Sequence, residues 1–391
     1  MTTTSPAPSV TTASGQRLPF LDWVRVGAFG LLILYHVGMF YVSWDWHVKS
    51  RHAGPTLEPL MLLSSPWRLS LLFLVSGVAT RFMADRMGPG TLSRTRLSRL
   101  GIPLLFVMAV LVVPQPYFEV VEKLGYADGF AAFWVRYLSF DQSFCRGEDC
   151  LILPTWNHMW FVAYLLVYTL LLALLLSLGA GRWLARLGQG VRLRGPGLLL
   201  VPVIVLALLR IALLDRFPIT HNLVWDWYNH ALSFGMFVTG YAIARNADLF
   251  DRLAVLRWAS LGLGLLAWAL YVWYALTFWH DAAEPPGEGL RMASRVVYAV
   301  QQWCMILAVL GFARRHLNRS GPVLRYLSAG VFPFYIIHQT AIVVAGHMLT
   351  PFALSGVAES GLIIAATLTA CLATYELARR VGVLGPLLGV R

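Results

Sequence analysis

The residue pattern of this 391-residue chain calls for an all-α polytopic membrane helix bundle of about ten spans, with both termini cytoplasmic. With 58% hydrophobic and only 13% charged residues, the chain carries more apolar surface than a soluble core can bury. The apolar runs last about 20 residues, the length of a spanning helix, whereas barrel strands would be about 10 residues of alternating polarity. The arginines fall unevenly between alternate connections, which orients the bundle.

Taken in order, Met1 to Gln16 is a Thr/Ser/Pro/Ala stretch with no apolar core and no small-residue cleavage site after the first span, expected as a disordered cytoplasmic leader (1–16). Ten spans follow within a membrane domain over 17–380: Phe20 to Val42, Leu57 to Met83, Gly101 to Val121, His158 to Ala180, Gly197 to Leu214, Asp226 to Arg245, Val255 to Thr277, Gly289 to Phe312, Tyr326 to Leu349 and Val357 to Leu377. A short cytoplasmic tail, 381–391, ends the chain. Twenty of the 31 basic residues lie in the connections on the amino-terminal side of the membrane, from Arg17 through Arg81, Arg86 and Arg94 to Arg391; the opposite connections carry seven. This asymmetry puts that side in the cytoplasm and assigns the formal charge of +12 to topology rather than to nucleic acid.

Cys145 and Cys150 then lie in the longest outward connection, where an oxidising compartment can pair them; two free thiols are the alternative. Cys304 and Cys371 fall inside spans as packing residues. The outward surface is rich in aromatics: Tyr41, Trp44, Trp46, Trp156, Trp160, Trp225, Trp227, Tyr228, Trp273, Tyr274 and Trp279. Most suit an interfacial belt, but rings beside Asp45, His47, His158 and Asp226 also suit a sugar platform, with apolar faces and polar edges.

The chemistry-bearing residues are those that are costly where they stand. Arg25 and His36 share the first span; eleven residues turn a helix through about 1100°, close to three full turns, and rise about 16 Å. They therefore occupy one face at different depths, Arg25 inward and His36 outward. Imidazole titrates near neutrality and can take a proton from an alcohol, although either residue also suits a purely structural role, snorkelling or bonding a neighbouring helix. Arg94, Arg96 and Arg99 at the cytoplasmic entry to the third span can hold phosphates through guanidinium forks, or serve only as topology signals. Arg68, after Pro66 and Trp67, lies near mid-membrane and needs an acceptor there; His338 and Gln339 sit in the middle of the ninth span. No P-loop, HExxH, Cys/His cluster or GxSxG occurs, so nucleotide hydrolysis, metal catalysis and serine-hydrolase chemistry lack support.

Arg25-x10-His36, the Leu72-Phe-Leu-Val-Ser-Gly77 segment and Arg96-Leu-Ser-Arg99 together resemble the acyltransferase-3 family of bacterial membrane O-acyltransferases, over essentially all ten spans. Tyr41 to Lys49, Pro66 to Arg68, Asn157 to Phe161 and Phe332 to His338 are similar to the branch that contains a succinyltransferase of periplasmic glucans. The resemblance implies acyl transfer across the bacterial inner membrane, from cytoplasmic acyl-CoA (acetyl-CoA or succinyl-CoA) to a hydroxyl of an extracytoplasmic glycan or lipid-linked sugar, with no metal. In that scheme Arg94, Arg96 and Arg99 hold the CoA phosphates, Arg25 guides the pantetheine arm, and His36 is the general base. Arg68 meets the oxyanion or the acyl group, or else pairs with Glu376 or another acid. Trp46, His47, His158, Trp160 and His338 face the acceptor. On the residues alone, a proton-coupled transporter or flippase for a small anion or saccharide stays open, since it uses intramembrane His and Arg equally well.

Overall fold

The computed structural model describes residues 18–190, 196–279 and 285–390; the expected leader, Arg17, Arg192, Arg194 and Arg391 lie outside them. The chain is an all-α polytopic membrane bundle. Among the described residues, eight helices are long and apolar enough to cross a membrane. The fifth and sixth expected spans fold as helices of 17 residues each, Gly197–Leu213 (α10) and Trp227–Ile243 (α11), about 26 Å long against a hydrocarbon core of about 30 Å.

The first helix, α1 (Pro19–Tyr41), has proline in its first turn, where the missing N–H costs nothing. It packs on α14 (Pro322–Leu349), α13 (Glu288–His316) and α3 (Arg68–Ala84). The second expected span is broken into α2 (Glu58–Ser64) and α3 at Ser65–Trp67, because Pro66 cannot continue the ladder. Inside a membrane the freed carbonyls need donors. Two buried glutamines of α13 supply them: Gln301 Nε2 donates to Leu62 O (2.8 Å) and Gln302 Nε2 to Pro66 O (2.8 Å). The break places Arg68 at the first position of α3, fully inside the bundle.

The third span is longer and less regular than its apolar core. It runs as α4 (Pro89–Arg96), a π turn over Leu97–Gly101, α5 (Ile102–Phe106), a second π turn over Val107–Leu111, and α6 (Pro114–Leu124). Pro103 and Pro114 each remove a ladder donor near a π turn. The arginine run is therefore helical rather than part of a loop. Beyond α6, α7 (Phe130–Leu138) and a two-stranded hairpin, β1 (Cys145–Arg146) and β2 (Asp149–Cys150), build a small satellite core around Phe133, Tyr137 and Phe144. Cys145 and Cys150 are joined as a disulfide across the hairpin.

α8 (Trp160–Ser177) and α9 (Gly181–Gly190) lead to α10, and α12 (Ala247–Phe278) packs along α13. α3 and α11 touch backbone to backbone: a Cβ on Gly77 would lie 1.9 Å from Phe237 O, and one on Gly240 1.9 Å from Leu74 O. Small residues at facing positions are how helices approach closely in lipid, where no hydrophobic force drives them together. After α15 (Gly356–Arg380), the short helix α16 (Leu384–Leu387) turns back; Leu388 joins the main core and Gly389 lies against the Phe332 ring.

Candidate active site

One stripe of α1, Asp22, Arg25, Phe29, Leu32, His36 and Met39, lines three adjoining cavities in succession. The spacing of three and four residues is that of a single helix face. At the arginine end a cavity of about 670 Å³ is lined by Asp22, Arg25, Arg86 and Arg99. It shares Arg25, Val75, Ala79 and Arg99 with a middle cavity of about 310 Å³ that also contacts Arg96, Phe161 and Tyr335. Phe161 and Tyr335 in turn partition the middle cavity from one of about 520 Å³ at the histidine end.

At the arginine end, Arg25 Nη2 donates to Ser328 O (3.1 Å) and lies 3.5 Å from Asp22. Arg96 Nη2 donates to Thr80 Oγ1 (2.9 Å), while its Nε and Arg99 Nη2 are buried with no protein acceptor among the described residues. Buried guanidinium N–H groups without acceptors are costly and suit an anionic ligand. Arg94 is not brought to this site: it is exposed on α4 and lines none of the three cavities, because five residues of helix set it about 140° out of phase with Arg99. Arg86, which sequence reasoning treats only as a topology charge, takes a place in the mouth instead.

At the other end the packing of α1 on α14 sets His36 Nδ1 3.1 Å from His338 Nε2. His338 Nδ1 lies 2.6 Å from Tyr335 O, and a carbonyl only accepts, so that nitrogen carries the proton. His338 Nε2 is then a lone pair that accepts from His36 Nδ1–H, and His36 Nε2 is left as the basic nitrogen. The role expected of His338 as a direct acceptor contact thus changes: it is fully buried and backs His36. His158 likewise spends both nitrogens inside the protein, Nε2–H on Ile336 O (3.0 Å) and Nδ1 accepting from Gln115 Nε2 (3.2 Å), although its ring still forms part of the wall.

His47 lines the same cavity; its Nδ1 meets Glu119 Oε2 at 2.5 Å and its Nε2 accepts from Gln339 Nε2 at 3.1 Å. Glu119 also accepts from Lys123 Nζ (2.9 Å), which reaches Asp45 at the rim (2.9 Å). Gln115, in a Pro-Gln-Pro sequence on α6, ties the network together by accepting from Gln339 and Asn157 and donating to Thr340. A polar residue between two prolines in an apolar run is the signal that sequence reading passed over. Trp46 and Trp160 both line the cavity, joined by Trp156 and His221.

Arg68 faces this cavity from the helix break, with its guanidinium carbon 3.2 Å from the centroid of the Tyr35 ring. Its Nε and Nη1 are buried and have no acceptor among the described residues. Glu376, the acid considered as its partner, is engaged elsewhere, accepting from Tyr326 Oη (2.8 Å) and Arg380 Nη2 (3.0 Å). Beside the rim, outside the spans, burial draws the Lys49 ammonium down to about 8 while it caps the end of α1, donating to Met39 O (2.7 Å) and Val42 O (2.5 Å).

Among the described residues, no group of three or more His, Cys, Asp or Glu has the arrangement of a metal site. What the three cavities offer is a cationic mouth, a narrower middle cavity with arginines at one end and apolar side chains beyond them, and a chamber with one oriented basic imidazole beside a guanidinium that is partly without acceptors among the described residues. No solved structure matches the chain. It is 24% identical over 348 residues to glucans biosynthesis protein C of Escherichia coli O6:K15:H31 and of Escherichia coli K12, covering 86% of this chain and 85% of each relative. The family model described as an acyltransferase domain matches residues 18–376, nearly the whole bundle, and the chain belongs to that acyltransferase-3 family of membrane acyltransferases.

Proposed function

We propose that the protein takes an acyl group from acyl-CoA at the arginine end and transfers it to a hydroxyl of an extracytoplasmic glycan, or another cell-envelope acceptor, at the histidine end. The observation that carries this reading is the single α1 stripe that lines all three cavities from Arg25 to His36. The arginine excess at the Arg25 end supports a cytoplasmic mouth in a bacterial inner membrane, with both termini on that side. A glycan acceptor is supported by relatives named for glucan biosynthesis and by Trp46, Trp156 and Trp160 around the chamber.

In this mechanism Arg96 and Arg99, with Arg25 and Arg86, bind the phosphates of the donor, and the apolar part of the middle cavity takes its arm. His36 Nε2 removes the proton from the acceptor hydroxyl as the oxygen attacks the thioester carbonyl. The oxyanion of the tetrahedral intermediate is held by Arg68. The C–S bond then breaks, and His36 returns the proton to the leaving thiolate, so the imidazole ends as it began. His338 shares the charge while His36 is protonated, through the Nδ1–Nε2 contact. Because Arg68 has no carboxylate partner among the described residues, the reading favours a donor whose acyl group carries one, such as succinyl, over acetyl.

The purified protein, supplied with succinyl-CoA or acetyl-CoA, should release free CoA thiol only when a sugar acceptor is present. Movement of sugar or anion across vesicles without thiol release would overturn the reading in favour of transport.

A further inference from the structure

Two non-glycine residues with left-handed backbone, Asn157 (φ 41°) and His221 (φ 56°), both line the histidine-end chamber. Such a conformation is costly for a residue with a Cβ and persists only where the surroundings hold it. For His221 the holding group is Asp226, fully buried just ahead of α11. Its carboxylate accepts the backbone N–H of Thr220 (3.1 Å) and His221 (3.1 Å), the Tyr164 hydroxyl (2.7 Å) and the Asn229 amide (2.7 Å). From the other side Trp156 Nε1 donates to His221 O (3.1 Å). A connecting loop has thus been fastened at several points to present one side chain.

That side chain is a ring stacked on Trp160, centroids 4.1 Å apart and planes 21° from parallel. Among the described residues neither nitrogen of the His221 imidazole has a hydrogen-bond partner, in contrast to His47, His158 and His338 in the same wall. Burial holds its titration below the ordinary imidazole range, so the ring is neutral at neutral pH and offers one N–H and one lone pair. A neutral donor and acceptor on the edge of an aromatic stack matches the hydroxyl of a polyhydroxylated ring, whose own C–H face packs against the neighbouring indoles.

We infer that His221 is an acceptor-binding residue: stacked on Trp160 and fixed by Asp226, it hydrogen-bonds a hydroxyl of a sugar-like acceptor in the chamber and sets how that ring is oriented. The inference rests on the acyl-transfer reading above and names a contact which that reading does not use.

The test exploits the backbone. Glycine adopts φ 56° at no steric cost, so His221→Gly removes the ring while relieving strain. Using the full chain, acyl-CoA and a glucose oligosaccharide, the variant should raise acceptor KM by about tenfold, as expected for one lost hydrogen bond. Its donor KM should be unchanged. An unaltered acceptor KM overturns the inference. If the glycine variant does not fold, His221→Asn, which tolerates the left-handed region, carries the same test: its acceptor KM must rise. Failure of the wild-type protein to consume thioester with any sugar would instead remove the underlying reading, a result distinct from normal turnover with an unmoved KM.

Discussion

His36 Nδ1 and His338 Nε2 lie 3.1 Å apart although 302 positions separate the two residues, and the Tyr335 carbonyl behind His338 decides which nitrogen of each ring holds the proton. The pair points the lone pair of His36 Nε2 away from His338, which is the orientation a general base needs.

Replacing His36 with Ala should therefore lower kcat by about 10² to 10⁴, the range for loss of a positioned base, with donor affinity retained. His338→Ala should cost less, about tenfold in kcat, because it removes orientation rather than the base. Steady-state thiol release together with direct acyl-CoA binding measures both. Equal losses in the two variants would count against the division of roles.

Arg68 makes a prediction about cargo. With two buried nitrogens that have no acceptor among the described residues, Arg68→Met should reduce transfer from succinyl-CoA more than from acetyl-CoA, by at least about tenfold in relative kcat/KM, as for one charge-assisted hydrogen bond. Mass spectrometry of the acylated acceptor in a competition between the two donors reads the ratio directly. Equal reduction for both would leave Arg68 as an oxyanion contact only.

The arginine run divides into used and unused members. Arg99→Ala should raise donor KM by about tenfold or more through loss of one charged hydrogen bond, whereas Arg94→Ala, exposed and away from the cavities, should leave it unchanged. A comparable shift for Arg94 would place the donor phosphates elsewhere.

Packing offers a test independent of chemistry. Gly77→Ala puts a methyl 1.9 Å from the Phe237 carbonyl and should destabilise the bundle by about 1–3 kcal/mol, the usual cost of overpacking. Gly235→Ala on α11, with open space at its Cβ, should be neutral. Thermal unfolding of the detergent-solubilised variants compares the two, and a neutral Gly77→Ala would mean that α3 and α11 can separate freely.

Much of this molecule is legible in one dimension. Apolar runs of about 20 residues set an all-helical membrane fold, since lipid leaves backbone polar groups no other partners. The eleven-residue step from Arg25 to His36 set a shared face, since helical period is local geometry. The arginine end of the cavity chain could be anticipated because the residues that form it, Arg25, Arg96 and Arg99, are costly where they stand.

Other features depend on which helices meet. His338 backs His36, and Gln115 joins His158 to Gln339, only because α14 packs against α1 and α6. His221 has no periodicity to mark it; its place on Trp160 follows from a buried carboxylate that bends a loop inward. Arg94 and Arg99 are the same residue type five positions apart, and only the phase of the helix against its neighbours separates a solvent-facing charge from a cavity-lining one. The sequence by itself determined the solvent, the secondary structure and the helix face, because those follow from local period and transfer free energy. The tertiary structure alone decided partners, tautomers and cavities, because these are distances between residues tens to hundreds of positions apart.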